Sequence, residues 1–525
     1  LITITRVNAQ KYSVSAERGN RAERDEALKQ LVWKHSHYVE GYQFTPKFKS
    51  GAWNGKISTY SPANIRAGYL EETIDHLEAN NIPWQWKEKP KDLPFLNPDQ
   101  DDFTYEEFHK FCAKLIGACK EKFDKKYDID LAVRDYQIET AYKILTRRLG
   151  VALHATSAGK SLTIAFVLGF LFYKNLISKA VIIVPLQSLI TQFVGDLLDF
   201  GFKPDFIGKL YGKEKQTNRP ITIAMTNSTH NLIDTADGKR FFADTDLVIC
   251  DEVHRAASKT VEKSILQFGN AKYFFGCTGT LPEDDLSQDT IFSLFGYVVD
   301  EKKLKQLREE YAAVSSVKVG ILDFNYAKGF LSRMKRKSSA MDWHEEVEFL
   351  QKDDEFRNPY ITNMIVNNFQ SGRNIVALVK NIEYGSKMYH MIKEKAEAED
   401  VFSIFGSGDE KKALEERDEI IEYCRSSKKP YIIVTNFQIF HVGINVPNLN
   451  MVAMIDAGKS KITVAQTIGR GVRKTRNKSD VYILDCSCNL KYGARHGKKR
   501  KKLYIDEGFT VMEKKVEEKE LKVKI

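Results

Sequence analysis

The residues best suited to chemistry begin with Ala155-Thr156-Ser157-Ala158-Gly159-Lys160-Ser161, which follows the apolar run Val151 to Leu153 and leads into the apolar stretch Leu162 to Tyr173. A loop between a strand and a helix presents backbone N–H groups and a helix N-terminus to an anion. Lys160 can then reach outer phosphates and Ser161 can ligate Mg²⁺. His154 stands where the usual phosphate-loop pattern begins with Gly. Further along, Asp251-Glu252-Val253-His254 emerges from the run Leu247 to Cys250, so both acids lie at the carboxyl end of a buried strand, where ligands bind in parallel sheets. Asp251 is placed to hold the metal, directly or through water, and Glu252 to orient and deprotonate an attacking water. Hydrolysis of a nucleoside triphosphate needs both jobs done. A third segment is Gln466-Thr467-Ile468-Gly469-Arg470-Gly471-Val472-Arg473, in which two arginines three apart share one face of a helix. If two α/β domains face one another, Arg473, helped by Arg470, supplies an arginine finger that neutralises transition-state charge, about 10³ to 10⁵ in rate.

The elements that must position these residues are legible as short runs, apolar on both faces and separated by helix-length segments. Val151 to Leu153, Val181 to Val184, Ile221 to Ala224, Leu247 to Cys250 and Tyr273 to Phe275 read as strands of a buried parallel sheet. The texture then resets in Ile375 to Val379, Val401 to Phe405, Tyr431 to Val434, Met451 to Ile455 and Val481 to Leu484, giving two α/β domains in tandem. Ahead of them, residues 1–99 form an aromatic-rich accessory domain, closing in a linker marked by Pro83, Pro90, Pro94 and Pro98. The expected divisions are 1–99, a first motor domain 100–300 with the ATP site, a linker or hairpin region 301–358 containing the strand-like Val317 to Phe324, and a second motor domain 359–525 with a basic C-terminal tail.

With 525 residues, 42% hydrophobic and 29% charged, the chain is a multidomain globular protein; small disulfide-stapled and collagen-like classes are excluded. Its longest apolar stretch is short of the roughly 20 residues that cross a bilayer, so no membrane partner is expected. The first residues, from Leu1, lack a charged-then-apolar signal pattern, and a cytoplasmic location is expected. The seven cysteines lie mostly within apolar runs, as reduced core thiols do, and the pair Cys486 and Cys488 has no Cys/His partner at zinc spacing. The surplus of 80 Lys+Arg over 70 Asp+Glu is concentrated. From Leu31 to Arg66 five basic residues face one acid among seven aromatics, Arg333 to Lys337 is a second basic cluster, and Lys498 to Lys502 a third. Such clusters suit a phosphate backbone with bases to stack on.

Read in order, Arg134-Asp135-Tyr136-Gln137, the phosphate loop, Val184-Pro185, Thr226-Asn227-Ser228-Thr229, Asp251 to His254, Thr278-Gly279-Thr280, Thr435 with Gly443-Ile444-Asn445, and Gln466 to Arg473 resemble the motif series of superfamily 2 helicases of the DExH type. Thr278-Gly279-Thr280 departs from the commoner S/T-A-T. The resemblance implies an α/β fold of two tandem RecA-like parallel-sheet motor domains, here with a small α+β N-terminal nucleic-acid-binding domain, using ATP and Mg²⁺. It implies that Arg134, Gln137, Thr156, Ser157, Ala158, Gly159, Lys160, Ser161, Gly443 and Asn445 surround the nucleotide, with Gln137 selecting adenine. Catalysis falls to Lys160, Asp251, Glu252, His254, Gln466, Arg470 and Arg473, and the metal to Ser161 and Asp251. Thr278 and Thr280 couple hydrolysis to domain movement, and Pro185, Thr226, Thr229 and Thr435 follow the single-strand track.

Gly41-Tyr42-Gln43-Phe44-Thr45-Pro46-Lys47-Phe48 and Trp53-Asn54-Gly55-Lys56 further resemble the N-terminal domain of the UvsW-type phage helicases. That family remodels branched DNA, regresses forks, migrates Holliday junctions, can unwind RNA paired to DNA and moves 3′ to 5′. Gly51 and Gly55 permit a turn that gathers Lys47, Lys49 and Lys56 on one surface. This domain is expected to hold duplex or junction DNA, with Trp53 and Phe44 in its core, while Arg333 and Arg336 touch DNA. The expected partners are branched and single-stranded DNA and an RNA–DNA hybrid, bound by a monomer located, if phage-encoded, in the host cytoplasm. The motor motifs alone also fit the motor subunit of a restriction or nuclease system, an RNA helicase, or a junction-binding scaffold switched by ATP.

Overall fold

The computed structural model describes residues 1–90, 103–127, 131–311, 315–327, 343–405, 410–444, 446, 448–471 and 480–518. The chain divides into two compact units, Leu1–His154 with Gly159–Lys302, and Lys303–Ile525 with Ala155–Ala158.

The first unit begins with a small α+β region. Alternating burial along Ile2–Asn8 and Lys11–Ala16 makes a two-faced antiparallel pair, extended by Ile65–Arg66 on one side and by Trp84–Trp86, parallel, on the other. Helix Leu70–Ala79 covers it with Leu70, Ile74 and Leu77, against a core that includes Ile2, Ile4, Tyr12, Tyr60 and Tyr69. This region seats directly on helix Asp285–Phe295: a Cβ added at Gly68 would stand 1.8 Å from the Phe292 carbonyl oxygen, so only glycine fits. Beside that contact, His35 Nδ1 lies 2.9 Å from Asp289 Oδ2 and its Nε2 lies 3.0 Å from Glu72 Oε2. His37 Nε2, at 2.7 Å, and the Thr59 hydroxyl, at 2.9 Å, also bond Asp289.

The remainder of the unit is an eight-stranded sheet in the order Glu214–Lys215, Ile207–Tyr211, Ile221–Met225, Ala180–Val184, Leu247–Asp251, Tyr273–Thr278, Leu149–His154, Val298–Lys302. All pairs are parallel except the first. Ala180–Val184 and Tyr273–Thr278 are buried at every residue, as continuous apolar strands between two helical layers must be. The longest apolar stretch is helix Lys160–Tyr173, packed into the core through Ile164, Phe166, Leu168 and Phe170. Among the described residues no helix is long and apolar enough to cross a membrane, and all seven cysteines are buried.

The second unit holds seven parallel strands in the order Val401–Ile404, Ile432–Asn436, Ile375–Val379, Met451–Met454, Asp480–Cys488, Ser316–Asn325, Thr510–Glu517. Two expectations change here. Ser316–Asn325 is neither hairpin nor linker: buried Val317, Val319, Ile321, Leu322 and Phe324 make it an interior strand, so the second sheet begins well before residue 359. The basic cluster Lys498 to Lys502 is no tail either. It belongs to helix Lys491–Asp506, whose Arg500 is buried, and the chain then returns as an edge strand.

Candidate active site

Three neighbouring strands of the first sheet deliver the chemistry from their carboxyl ends. Leu149–His154 runs into the phosphate loop, where Ser157 (φ +73°) and Gly159 (φ +79°) both take the left-handed conformation. For Ser157 this is backbone strain of the kind that gathers at functional sites. At Gly159 the requirement is double, because an added Cβ would come within 2.2 Å of the Gln137 side-chain nitrogen. Gln137 is itself buried on helix Asp135–Arg147 and accepts the Arg134 backbone N–H at 3.0 Å, which fixes its amide beside the loop. Ala158 N–H closes a turn onto the Ala155 carbonyl at 3.1 Å, and helix Lys160–Tyr173 starts at once, with its N-terminus toward the loop. The Lys160 ammonium donates to the His154 carbonyl at 3.3 Å.

His154, in the place of the usual glycine, anchors the loop from below. Its Nε2 is 2.8 Å from Asp300 Oδ2, which also accepts from the Thr140 hydroxyl at 3.0 Å, while Lys143 reaches Asp300 Oδ1 at 3.0 Å. Burial lowers the His154 pKa and keeps the ring neutral; Asp300 is held well below the carboxylate range by its bonds to His154, Lys143 and Thr140, which outweigh burial. Sequence reasoning missed Asp300: the strand Val298–Lys302 is short and charged, and nothing in its composition links it to a loop so distant in the chain.

Leu247–Asp251 ends in the acid pair. Asp251 is buried and accepts from the Cys277 thiol at 3.2 Å; burial and the neighbouring Glu252 push its carboxyl up to about 6, against the pull of Lys160. Glu252 sits at φ +53°, which turns its side chain into a cluster with the third strand end. The Thr278 hydroxyl is 3.5 Å from Glu252 Oε2 and 2.9 Å from His254 Nδ1, which lies 3.2 Å from the same Glu252 oxygen. Thr278 also contacts the Thr280 carbonyl at 3.0 Å, so a shift of either acid or histidine is felt by the segment that follows the strand. A buried acid short of positive charge and close to Lys160 fits a divalent cation held by one carboxylate and substrate oxygens, the usual arrangement for Mg²⁺ with phosphates.

The other expected residues divide. Pro185 and Thr226 follow the neighbouring strand ends, half-buried, with the Thr226 hydroxyl on the Val184 carbonyl at 3.2 Å. Thr229 and Thr435 are corrected. Both are fully buried, and their hydroxyls donate to the Met225 carbonyl at 3.1 Å and the Ile404 carbonyl at 2.7 Å, so they shape the strand ends and offer DNA no hydroxyl. Gln466 and Arg470 lie half-buried on helix Lys461–Gly471, with Arg470 Nη1 3.5 Å from the Ile444 carbonyl. Gly443 closes helix Phe437–Gly443. Asn445, Arg473, Arg333 and Arg336 lie outside the described residues.

In the N-terminal region Lys47 and Lys49 are exposed on the short helix Pro46–Lys49, and the Lys56 ammonium lies 4.8 Å from the centre of the Tyr38 ring. Trp53 is half-buried, its indole N–H donating to the Lys56 carbonyl at 2.7 Å. Phe44 is corrected from core to surface: it is 75% exposed, as is Trp33, because the core of this region is filled by Tyr12, Tyr60 and Tyr69.

Comparison with known proteins places this geometry. Residues 130–283 match the family described as "Type III restriction enzyme, res subunit" and residues 359–475 match "Helicase conserved C-terminal domain". The chain is 25% identical over 504 residues to the ATP-dependent DNA helicase uvsW of Enterobacteria phage T4, covering 92% of this chain and 94% of that protein. It is 25% identical over 370 residues to the DNA 3′-5′ translocase XPB2 of Sulfurisphaera tokodaii, covering 66% of this chain and 79% of that one. Among solved structures, the DEAD-box helicase Mss116 bound to ssRNA shares the fold with a TM-score of 0.53 at 15% identity, over 73% of this chain and 74% of that one. Two matched helicase regions carried in the expected order, with a relative aligned nearly end to end, settle the assignment: the chain belongs to the superfamily 2 helicases and is UvsW-like.

Proposed function

We propose that this protein is an ATP-driven DNA translocase that remodels branched DNA, regressing forks and migrating Holliday junctions, with 3′ to 5′ movement on single strands and a capacity to unwind RNA from DNA. The observation that carries the reading is the convergence of Lys160, the Asp251-Glu252 pair and Thr278 at three adjacent strand ends. The similarity to the ATP-dependent DNA helicase of phage T4 and to the DNA 3′-5′ translocase of Sulfurisphaera tokodaii supports a DNA substrate.

In this reading Ser161 and Asp251 hold Mg²⁺, which when bound neutralises charge developing on the phosphates. The loop N–H groups from Thr156 to Ser161 and the Lys160 ammonium bind the phosphates, and Arg134 and Gln137 take the base. Glu252 orients the attacking water and accepts its proton. His254 and Thr278 keep the Glu252 carboxylate aimed, and Thr278 passes its position on to Thr280. Gln466, Arg470 and Arg473, with Gly443 and Asn445, are the second domain's residues assigned to nucleotide binding and catalysis. Pro185 and Thr226 follow the DNA strand. Lys47, Lys49 and Lys56, together with the exposed aromatics Phe44, Trp33 and Tyr38, are the N-terminal residues assigned to duplex or junction DNA, and Arg333 and Arg336 are further DNA-contact candidates.

The test is ATP hydrolysis and strand displacement by wild type and Glu252→Gln on a Holliday junction, a fork, a linear duplex and an RNA duplex. Branched DNA is expected to stimulate hydrolysis and to be resolved by the wild type alone. A response to RNA duplex alone overturns the DNA assignment. Junction binding with two equally inert proteins replaces the motor by a scaffold.

A further inference from the structure

The base and the phosphates of the nucleotide fall to different elements: Gln137 sits on helix Asp135–Arg147, and the phosphate loop follows strand Leu149–His154. A buried carboxylate from a third element joins the two. Asp300 meets His154 Nε2 at 2.8 Å at the end of the loop strand, and accepts from the Thr140 hydroxyl and the Lys143 ammonium, both at 3.0 Å, on the helix. Burial opposes a charge on Asp300, yet the bonds from His154, Lys143 and Thr140 hold it ionised. An ionised carboxylate only accepts, so Nε2 carries the ring proton of His154. Nδ1 of the same ring is buried with no partner among the described residues, and the ring is therefore held from the Asp300 side. Thr140 lies one turn from Gln137 on the buried face of the helix, since residues three apart share a face.

The edge strand is shaped to deliver this side chain. In the parallel pairing of Val298–Lys302 with Leu149–His154, Val298 opposes Val151 and Asp300 opposes Ala152, which leaves Val299 as an extra residue. Such a bulge re-aims the side chains beside it. Gly150 makes the room, because a Cβ there would stand 2.4 Å from Val299 Cγ1, on a stiff β-branched side chain. At the other end of the joint, helix and loop meet without space to spare, Gly159 against the Gln137 amide. The helix therefore touches the loop at Gln137 and is tied to the loop strand one turn further on, through Asp300.

We propose that Asp300 is a positioning residue for nucleotide selection: by clamping helix Asp135–Arg147 to the end of the loop strand, it fixes the distance between the Gln137 amide and the phosphate loop, and so makes the site prefer adenine. This rests on the assignment of the base to Gln137 and of the phosphates to the loop. The loop alone holds the phosphates of any nucleoside triphosphate. Adenine is favoured only if Gln137 meets the edge of the base while those phosphates are seated, and misplacement on the order of 1 Å costs up to about 10² in rate. Releasing the clamp should therefore cost ATP more than GTP, whose base presents a different edge to Gln137. A loop that had merely lost its shape would cost both nucleotides alike.

The experiment measures kcat and KM for ATP and for GTP, in the presence of single-stranded DNA, with the full chain as wild type, Gln137→Ala, Asp300→Asn and the double variant Thr140→Val with Lys143→Met. The double variant releases the helix and leaves His154 on Asp300, so it carries the test if thermal melts show Asp300→Asn to be unfolded. Wild type is expected to prefer ATP and Gln137→Ala to lose the preference. Asp300→Asn should lower the ATP-to-GTP ratio of kcat/KM about tenfold, as loss of a charged hydrogen-bond partner does, chiefly through KM for ATP. The double variant should lower it in the same direction, and Asp300→Asn should add little on top of Gln137→Ala, because the two act as a unit. A preference lost in Gln137→Ala but kept in folded Asp300→Asn and in the double variant overturns the proposal and leaves the base assignment standing. An equal fall for ATP and GTP overturns it too, since Asp300 then only supports the loop. A preference that Gln137→Ala leaves intact removes the base assignment, and the proposal with it.

Discussion

At the carboxyl edge of the first sheet the polar groups are incompletely matched, whereas at that of the second the strongest of them are saturated. Lys160 has a backbone carbonyl at 3.3 Å, and Asp251 has a thiol at 3.2 Å. Across the same strand order, Arg500 gives Nε to both Asp485 oxygens at 2.8 and 3.1 Å and its other nitrogens to the carbonyls of Ala457, Gly458 and Cys486, while the Tyr504 hydroxyl completes Asp485 at 2.7 Å. One topology therefore carries a poised site and a structural hub, and the difference lies in whether buried charge has been given partners. The poised edge costs the apo protein stability; the saturated edge fixes it.

The largest expected effect breaks the first edge. Glu252→Gln should lower single-turnover ATP hydrolysis by about 10² to 10⁴, the range for loss of a positioned general base, with the melting temperature held or raised because one of two adjacent negative charges is gone. A rate within a few-fold of wild type would remove Glu252 from the chemistry. The counterpart in the second unit is Arg500→Met. It touches no proposed ATP ligand, yet it leaves Asp485 buried and unpaired, and should destabilise by about 3 to 5 kcal/mol in urea unfolding. A small loss there would show that the saturated edge is not what holds the second sheet together.

A smaller effect tests the cost of poise. Asp251 has its pKa raised from the ordinary carboxylate range to about 6 by burial and by Glu252, so the folded state binds its proton more tightly than the unfolded chain. Stability from this group is complete below the unfolded pKa and is lost as pH rises through about 6. Asp251→Asn should therefore stabilise the ligand-free protein by on the order of 1 kcal/mol near pH 8, with the gain vanishing in acid, while hydrolysis is lost. Thermal melts across pH in the absence of nucleotide measure it. A variant less stable than wild type at pH 8 would mean that the carboxylate is already well compensated.

The same contrast explains what the sequence could reveal. Strands buried on both faces, such as Ala180–Val184 and Ile375–Val379, are continuous apolar runs and were readable with nearly correct limits. Val298–Lys302 and Thr510–Glu517 were not, because each edge strand is half charged and needs its neighbour to be recognised. Ser316–Asn325 shows buried and half-buried residues in alternation, a texture that one-sequence reasoning assigns equally to a hairpin. The phosphate loop and the acid pair were legible because their chemistry is local in the chain. Asp300 below the loop, Cys277 beside Asp251 and the burial of Thr229 and Thr435 depend on partners far away, so no local pattern announces them. Phe44 failed in the other direction, since an aromatic residue says nothing by itself about which side of a small domain it faces.

The smallest expected effect separates two saturated hubs. Arg500 cannot lose its proton in any ordinary buffer, but the hub that joins the N-terminal region to the first motor sheet is centred on a histidine. Burial would lower the His35 pKa, yet hydrogen bonds and charge from Asp289 and Glu72 outweigh it and raise it to about 9. Glu72, bonded by His35, Lys34 and Tyr297, is lowered to about 2 against the effect of burial, and Asp289, bonded by His35, His37 and Thr59, is lowered likewise. A raised histidine gives stability that is complete below its unfolded value near 6.5 and is lost as pH climbs to about 9. The lowered carboxylates give stability that is complete above their unfolded values near 4 and is lost only toward pH 2. The hub is therefore strongest between about pH 4.5 and 6.5 and weakens through the alkaline range. His35→Gln keeps a hydrogen-bonding side chain without the charge, so its melting temperature should fall below wild type by a few degrees near pH 6 and converge on it near pH 9.5. Arg500→Met should show no such convergence. A gap for His35→Gln that stays constant from pH 6 to pH 9.5 would mean that packing against Tyr60 and Tyr69, with ring centres 5.8 and 4.2 Å away, holds this joint and that the charge does not.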